Sequence, residues 1–363
     1  MEDEKNVLGY GRDTKVIEVV CKGVNVALKR IDYSHRIKAE RKSKTEDLQR
    51  IKGGRLAEIG VLKKLEHHHV VRLVGTYSQD LCLGLLIWPV AQCDLAFALE
   101  SIQMNGLSDD VLLPDLQKNL KQYKLDPKEL RAIVGNEDER IWASFGCLAT
   151  AVNYLHENNI RHKDLKPSNI LLSRDGIWIT DFGSSKDFTP NLTSTSESWE
   201  RGTLEYCAPE VLAYDKSGRS ADIFSLGCVF LEMIVVLSHK HSLEDLRELC
   251  PDKNGYYGTN LTNLPKWLAL AEPTGVKIGH LADEIERMLR HDRFRRPTAK
   301  ALSMTISGVD DSSDTQLSKR ICGPCCNILD DRKAAQDRIA TLEAALTKCK
   351  KLNEEALRFI ETT

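Results

Sequence analysis

The stretch Ile160-Arg161-His162-Lys163-Asp164-Leu165-Lys166-Pro167-Ser168-Asn169-Ile170-Leu171 sets a carboxylate, a lysine two residues later and an amide five residues later in one short segment. Those three groups suit a base, a phosphate ligand and a metal ligand. After a short strand-like interval, Ile179-Thr180-Asp181-Phe182-Gly183 supplies a second carboxylate at a strand end, followed by a glycine pivot. Two separated oxygen donors, Asn169 and Asp181, match the needs of Mg²⁺, which is usually held by one or two protein groups together with substrate phosphates.

Weaker signals lie upstream. In Val26-Ala27-Leu28-Lys29 a lysine sits within an apolar strand, two residues after a small one that leaves room for a flat ligand. A buried ammonium needs an anionic partner, and Glu58 in Ala57-Glu58-Ile59-Gly60 is the candidate, although either residue taken singly is more often a plain surface charge. Leu8-Gly9-Tyr10-Gly11-Arg12-Asp13-Thr14-Lys15-Val16 carries two glycines, Gly9 and Gly11, whose backbone N–H groups can approach phosphate oxygens. Thr14 stands where a third glycine would complete such a loop.

The elements that must position these groups change character along the chain. Up to about residue 90, β-branched runs at 16–21, 24–31, 70–76 and 81–87 read as strands, and the N-terminal glycine segment opens with another. Helical spacing over 45–65, interrupted by Gly53-Gly54, predicts one helix that starts late or is broken. Beyond it, helices are expected at 94–101, 137–158, 221–237 and 278–290, with a polar surface insertion over 104–135 that carries no evident chemistry. The basic stretch 29–44 reads as a solvated connection, with a partner patch as the alternative.

The set and order of these motifs resemble the eukaryotic protein kinases: glycine loop, Val-Ala-Leu-Lys, helix Glu, His-Lys-Asp loop, Asp-Phe-Gly, then Cys207-Ala208-Pro209-Glu210. The resemblance implies an α+β, bilobal protein-kinase fold, with a small antiparallel β-sheet N-lobe holding one helix, a larger mainly helical C-lobe, and a C-terminal helical tail. The kinase domain is expected over 1–305, with its N-lobe at about 1–88, hinge 88–91 and C-lobe at about 92–305. A linker with a Cys cluster would follow at 306–328, then a helical, coiled-coil-like tail at 329–363.

The same resemblance assigns roles. Lys29 holds the α and β phosphates of ATP and pairs with Glu58. Asp164 orients the substrate hydroxyl, Asn169 and Asp181 hold Mg²⁺, and Lys166 steadies the γ-phosphate. Thr203 matches the threonine that bridges Asp164 and Lys166 in serine/threonine kinases, so Ser/Thr is expected over Tyr. Val16, Ala27 and Leu171 sandwich adenine, Ile87 is the gatekeeper, Val90 offers backbone groups to the base, and Asp94 reaches the ribose. Leu62, Leu73, His162 and Phe182 form the apolar stack between lobes; Asp222 braces the catalytic loop; Glu210 and Arg296 make a buried ion pair. The hinge Trp88-Pro89-Val90-Ala91 and the His-Lys-Asp loop are similar to a divergent kinase group of filamentous fungi. The alternative function is a nucleotide-binding pseudokinase acting as a scaffold.

Lys163 replaces the more common arginine, keeping its charge but losing the bidentate fork. With Lys186 it would receive a phosphate from the cluster Thr189, Thr193, Ser194, Thr195, Ser196 and Ser198; a polar loop without such control is the other reading. In the tail, Ile339, Leu342, Leu346, Cys349, Asn353, Ala356 and Ile360 form a candidate seam for self-association or for docking onto the kinase core. Cys322, Cys325 and Cys326 read as free thiols in preference to acylation or to zinc, because no second cluster and no nearby histidines accompany them in the sequence.

The whole chain of 363 residues carries 51 Lys and Arg against 53 Asp and Glu, with 42% hydrophobic and 29% charged residues. Wholesale disorder and fibrous repeats are excluded, and direct nucleic-acid binding is not expected at a net charge of −2. No signal peptide or transmembrane segment is read, the strongest apolar run, 228–237, being broken by Glu232. The eleven cysteines therefore suggest reduced thiols, and the expected location is cytoplasmic, with the nucleus as an alternative. Expected partners are ATP and protein substrates.

Overall fold

The computed structural model describes residues 6–10, 14–21, 23–32, 56–79, 82–105, 114–134, 138–187, 203–250, 255–271, 276–310 and 321–326. Alternation and turn chemistry build the first lobe. Strands β1 (Val7–Tyr10), β2 (Thr14–Cys21), β3 (Val24–Asp32), β4 (Arg72–Gln79) and β5 (Cys82–Trp88) form an antiparallel sheet in the order β1-β2-β3-β5-β4. Gly23 closes the β2–β3 hairpin at φ 83°, a left-handed conformation that glycine adopts without steric cost.

Register then fixes one face of that sheet. Ala27 pairs with Glu18 and Ile87, and Lys29 pairs with Val16 and Leu85. Directly opposed residues share a face, as do residues two apart. Val16, Ala27, Lys29, Leu85 and Ile87 are therefore co-facial, so the expected adenine contacts and the expected phosphate lysine line the same surface. The helix described over 56–62, here α1, buries Glu58, Ile59, Val61 and Leu62.

The second lobe is helical, with α2 (Leu95–Asn105), α3 (Pro114–Tyr123), α4 (Pro127–Val134), α5 (Glu139–Glu157), α6 (Pro209–Leu212), α7 (Arg219–Leu237), α8 (Leu243–Glu248), α9 (Leu264–Leu270), α10 (Val276–Met288) and α11 (Ala299–Asp310). α7 is apolar enough by length and composition to cross a membrane, yet its residues from Asp222 to Leu237 are buried within the lobe. Burial on all sides accounts for its lack of a polar face. A small sheet of β6 (Cys93–Asp94), β8 (Ile170–Ser173) and β9 (Gly176–Ile179) carries the floor of the cleft, and β7 (Ile160–Arg161) pairs with β10 (Lys186–Asp187).

The 104–135 insertion is a structural part of the lobe. It contains α3 and α4; Asp126 and Glu129 cap α4 reciprocally, each backbone N–H donating to the other's carboxylate at 2.9 and 2.7 Å. Leu130, Ile133 and Val134 then enter the core. Residues 321–326, within the segment expected to be a linker, pack on α5: Gly146 N donates to Ile321 O at 2.9 Å, and Ile321 is buried. The candidate phosphoacceptor cluster of 189–198, the basic stretch beyond Asp32 and the 329–363 tail lie outside the described residues.

Candidate active site

Lys29 Nζ lies 2.9 Å from Glu58 Oε1 and 2.8 Å from Asp181 Oδ1, so one ammonium joins the N-lobe sheet, α1 and the segment after β9. Burial by itself would lower the Lys29 pKa, but the Asp181 and Glu58 carboxylates outweigh it and hold it above its ordinary value. The lysine is a fixed cation. Asp181 is held at φ 63°, a left-handed conformation uncommon outside glycine, and Phe182 behind it is buried edge-on against His162 at 4.9 Å. His162 in turn contacts Thr180 O through Nε2 at 2.8 Å. Of the four residues expected in the inter-lobe stack, His162 and Phe182 are thus in contact, Leu62 is buried in the core and Leu73 is partly buried against it.

The catalytic loop closes on itself. Asp164 Oδ1 accepts from Thr203 N at 2.7 Å, and its Oδ2 accepts from Asn169 Nδ2 at 3.0 Å and faces Lys166 Nζ at 3.1 Å. Lys166 Nζ also donates to Thr203 Oγ1, and Asn169 Nδ2 donates to Asp164 O at 2.8 Å. Both carboxylate oxygens of Asp164 are thus held in place by groups from three positions. With its amide nitrogen committed to Asp164, Asn169 offers its carbonyl oxygen as a hard donor, and Asp181 adds carboxylate oxygen. That donor chemistry fits Mg²⁺.

Beneath the loop, Asp222 on α7 is fully buried. Its Oδ2 accepts from His162 N at 3.0 Å and meets His156 Nε2 at 2.9 Å, while Oδ1 accepts from Lys163 N at 2.8 Å. Burial alone would raise its carboxyl pKa, but the contacts with His156 and Lys163 prevail and hold it below the ordinary range. Lys163 occupies φ 69°, so the backbone at this strained position is held from below. Arg296 and Glu210 form the expected pair, bidentate at 2.8 and 2.9 Å, with the guanidinium 4.9 Å above the Phe224 ring.

The residues expected around the nucleotide are found on neighbouring strands of two sheets, with Val90 of the hinge and Gly11 excepted. Leu171 on β8 pairs with Asp94 on β6, and the hinge is tied down by Gln92 N donating to Leu172 O at 2.9 Å. Ile87 is buried opposite Ala27; Val90 follows Pro89, whose bond to Trp88 is cis. Gly9 lies in β1, and Gly11 falls outside the described residues.

The insertion was expected to be free of chemistry, but its Tyr123 hydroxyl donates to Asp94 Oδ2 at 3.0 Å and its ring stacks on Phe97 at 4.2 Å. Lys124 reaches Val7 O at 3.5 Å, linking the insertion to the first strand. Burial raises the Asp94 carboxyl pKa despite lowering bonds from Phe97 N and Tyr123. The sequence carries no periodic signal for these contacts, since they join residues 29 and 117 apart.

A family model described as a protein kinase domain matches residues 3–305. Serine/threonine-protein kinase Nek10 of Homo sapiens is 34% identical over 192 residues, 50% of this chain and 15% of Nek10. A probable cell division protein kinase of Encephalitozoon cuniculi is 31% identical over 229 residues, 62% of this chain and 68% of that protein. Serine/threonine-protein kinase Nek6 of Oryza sativa is 34% identical over 178 residues, 48% of this chain and 30% of Nek6. The matched segments thus span well under two thirds of the two Nek proteins.

Proposed function

The chain belongs to the protein kinase family, and on that premise we propose that it is an active serine/threonine kinase, transferring the γ-phosphoryl group of ATP to protein hydroxyls with Mg²⁺. The observation that carries this reading is the closed network of Asp164, Lys166, Asn169 and Thr203, facing a Lys29 that is already joined to Glu58 and Asp181. Phosphoryl transfer asks little covalent chemistry of a protein and much positioning. Asn169 and Asp181 would hold the Mg²⁺, which, when bound, neutralises charge on the phosphate oxygens.

Within that frame each side chain has a definite task. Asp164, its two oxygens fixed by Thr203 N and Asn169 Nδ2, orients the incoming hydroxyl and takes its proton as the bond to phosphorus forms. Lys166, 3.1 Å from Asp164 Oδ2, brings a positive charge to the same locality and stabilises negative charge gathering on the transferred group. Lys29 restrains the non-transferred phosphates. Thr203 links base and lysine, as expected for a kinase acting on serine and threonine.

The test is Mg²⁺-dependent transfer of phosphate from ATP to a generic basic protein, with Asp164→Asn as the comparison. General-base assistance contributes on the order of 10²–10⁴-fold, so the variant is expected to lose at least about 10²-fold in kcat while still binding ATP. Equal turnover by the two proteins would overturn the catalytic assignment, and absence of turnover in both would favour the scaffold reading.

A further inference from the structure

Three stretches of chain bring sulfur and imidazole donors to one point. Cys147 comes from α5, His68 and His69 from the segment that follows α1, and Cys322, Cys325 and Cys326 from residues 321–326, which lie beyond the 3–305 family match. Cys147 Sγ is 3.6 Å from Cys325 Sγ and 3.7 Å from Cys326 Sγ; His69 Nε2 is 3.3 Å from each of the latter two sulfurs. With metal–sulfur bonds of about 2.3 Å and metal–nitrogen bonds of about 2.0 Å, a tetrahedral zinc site has sulfur–sulfur edges of about 3.8 Å and sulfur–nitrogen edges of about 3.5 Å. Four of the six edges match these values to within a few tenths of an ångström.

The surroundings are built for such a site. His69 is buried, and its Nδ1 contacts Ile177 O at 2.9 Å, so Nδ1 carries the hydrogen and the Nε2 lone pair faces the sulfurs. Its ring is fixed in the ligating tautomer. Cys147 is buried as well. Two glycines permit the approach. A Cβ at Gly323 would stand 2.8 Å from Cys325 Sγ, and one at Gly146 only 2.5 Å from Cys322 Sγ. The backbone bond from Gly146 N to Ile321 O holds 321–326 in register with the helix.

We propose that Cys147, Cys325, Cys326 and His69 bind a zinc-type divalent ion that staples residues 321–326 to the kinase domain beneath the Glu58 helix. Binding forms three metal–sulfur bonds and one metal–nitrogen bond and releases the three thiol protons to solvent. The resulting centre carries one net negative charge. His68 Nε2, 3.8 Å from Cys326 Sγ, is placed to donate a hydrogen bond to that thiolate. Because His69 lies a few residues beyond α1, the ion also stiffens the base of the helix that delivers Glu58 to Lys29. This site is independent of the catalytic proposal and stands or falls on metal binding alone.

Cys322 meets the thiols of Cys147 and Cys326 and can replace a lost sulfur, so the test changes two ligands together. The untagged full chain, purified under reducing conditions, is analysed for metal by mass spectrometry beside Cys325→Ser/Cys326→Ser and a Cys21→Ser control. About one equivalent of zinc is expected in the wild type and the control, and at least tenfold less in the double variant. Replacement by Co²⁺ should give thiolate-to-metal charge-transfer bands and the intense visible bands of tetrahedral cobalt in the wild type and the control, and not in the double variant. Equal metal in all three proteins, cobalt spectra without sulfur bands, or a disulfide between Cys147 and a tail cysteine would each overturn the proposal. Circular dichroism of the double variant separates metal loss from misfolding; if it is unfolded, the cobalt spectrum of the wild type decides.

Discussion

Replacing Asp222 by alanine isolates the brace beneath the catalytic loop. The side chain is fully buried and accepts two backbone hydrogens, from His162 and Lys163, besides its contact with His156. A hydrogen bond to a charged group contributes about 1.5–3 kcal/mol net, and an orphaned buried N–H costs about 1–3 kcal/mol. Two such bonds set the expected loss at about 3 kcal/mol or more, roughly 10²-fold in the folding constant. Asp164 is two residues beyond His162, so the loop that carries the base loses its support. Urea denaturation should show a lower midpoint with an unchanged slope. Steady-state kinetics should show kcat down at least about tenfold, with the KM for ATP nearly unchanged because the adenine-facing residues stand on other elements. The carboxyl also has a pH signature. Its folded pKa is depressed, so the stability it contributes is present above the ordinary value of 3.8 and is lost as pH falls below it. The gap between wild type and Asp222→Asn should close in that acid range. A wild-type midpoint and kcat in Asp222→Ala would refute the bracing argument.

Glu232 behaves in the opposite sense. Burial pushes its carboxyl from 4.5 up to about 7, while the Tyr206 and Tyr257 hydroxyls donate to it at 2.9 and 2.7 Å. The folded state therefore holds the proton more tightly than the unfolded chain, and stability falls as pH rises from about 4.5 to about 7. Glu232→Gln keeps an acceptor for both hydroxyls and should flatten that slope, gaining up to about 3 kcal/mol at pH 8; denaturation across the pH series checks it, and an unchanged slope contradicts it. Tyr123→Phe removes the hydroxyl that holds Asp94, so a several-fold rise in the KM for ATP with kcat within about twofold is expected from steady-state assays. An unaltered KM would separate Asp94 from nucleotide binding.

Much of this architecture is legible in the chain. The strands expected at 16–21 and 24–31 lie within β2 and β3, and the helix expected at 221–237 within α7, because alternation and continuous apolarity are local patterns. Lys29, Glu58, Asp164, Asn169 and Asp181 stand out because the motifs that hold them follow one another in the order that the protein kinases show. The insertion read as a polar surface stretch because α3 and α4 are short and largely polar, with Leu120 of α3 and Leu130, Ile133 and Val134 of α4 as their buried residues. Capping by Asp126 and Glu129 and packing onto the lobe stabilise what periodicity could not reveal.

The cysteine cluster marks the boundary most sharply. Cys322-Gly323-Pro324-Cys325-Cys326 has no histidine close to it in sequence, so its neighbours there suggest plain thiols. His69, 256 residues from Cys325, reaches it because β9 and α5 fold between them. Sequence by itself determined the candidate catalytic groups, their order and most of the strands and helices that carry them, since these depend on residue type and short-range spacing. Tertiary structure alone decided which distant residues meet: Tyr123 with Asp94, Asp222 with the loop backbone, and His69 with Cys325. Such contacts arise from packing across long chain separations, and no local periodicity encodes them.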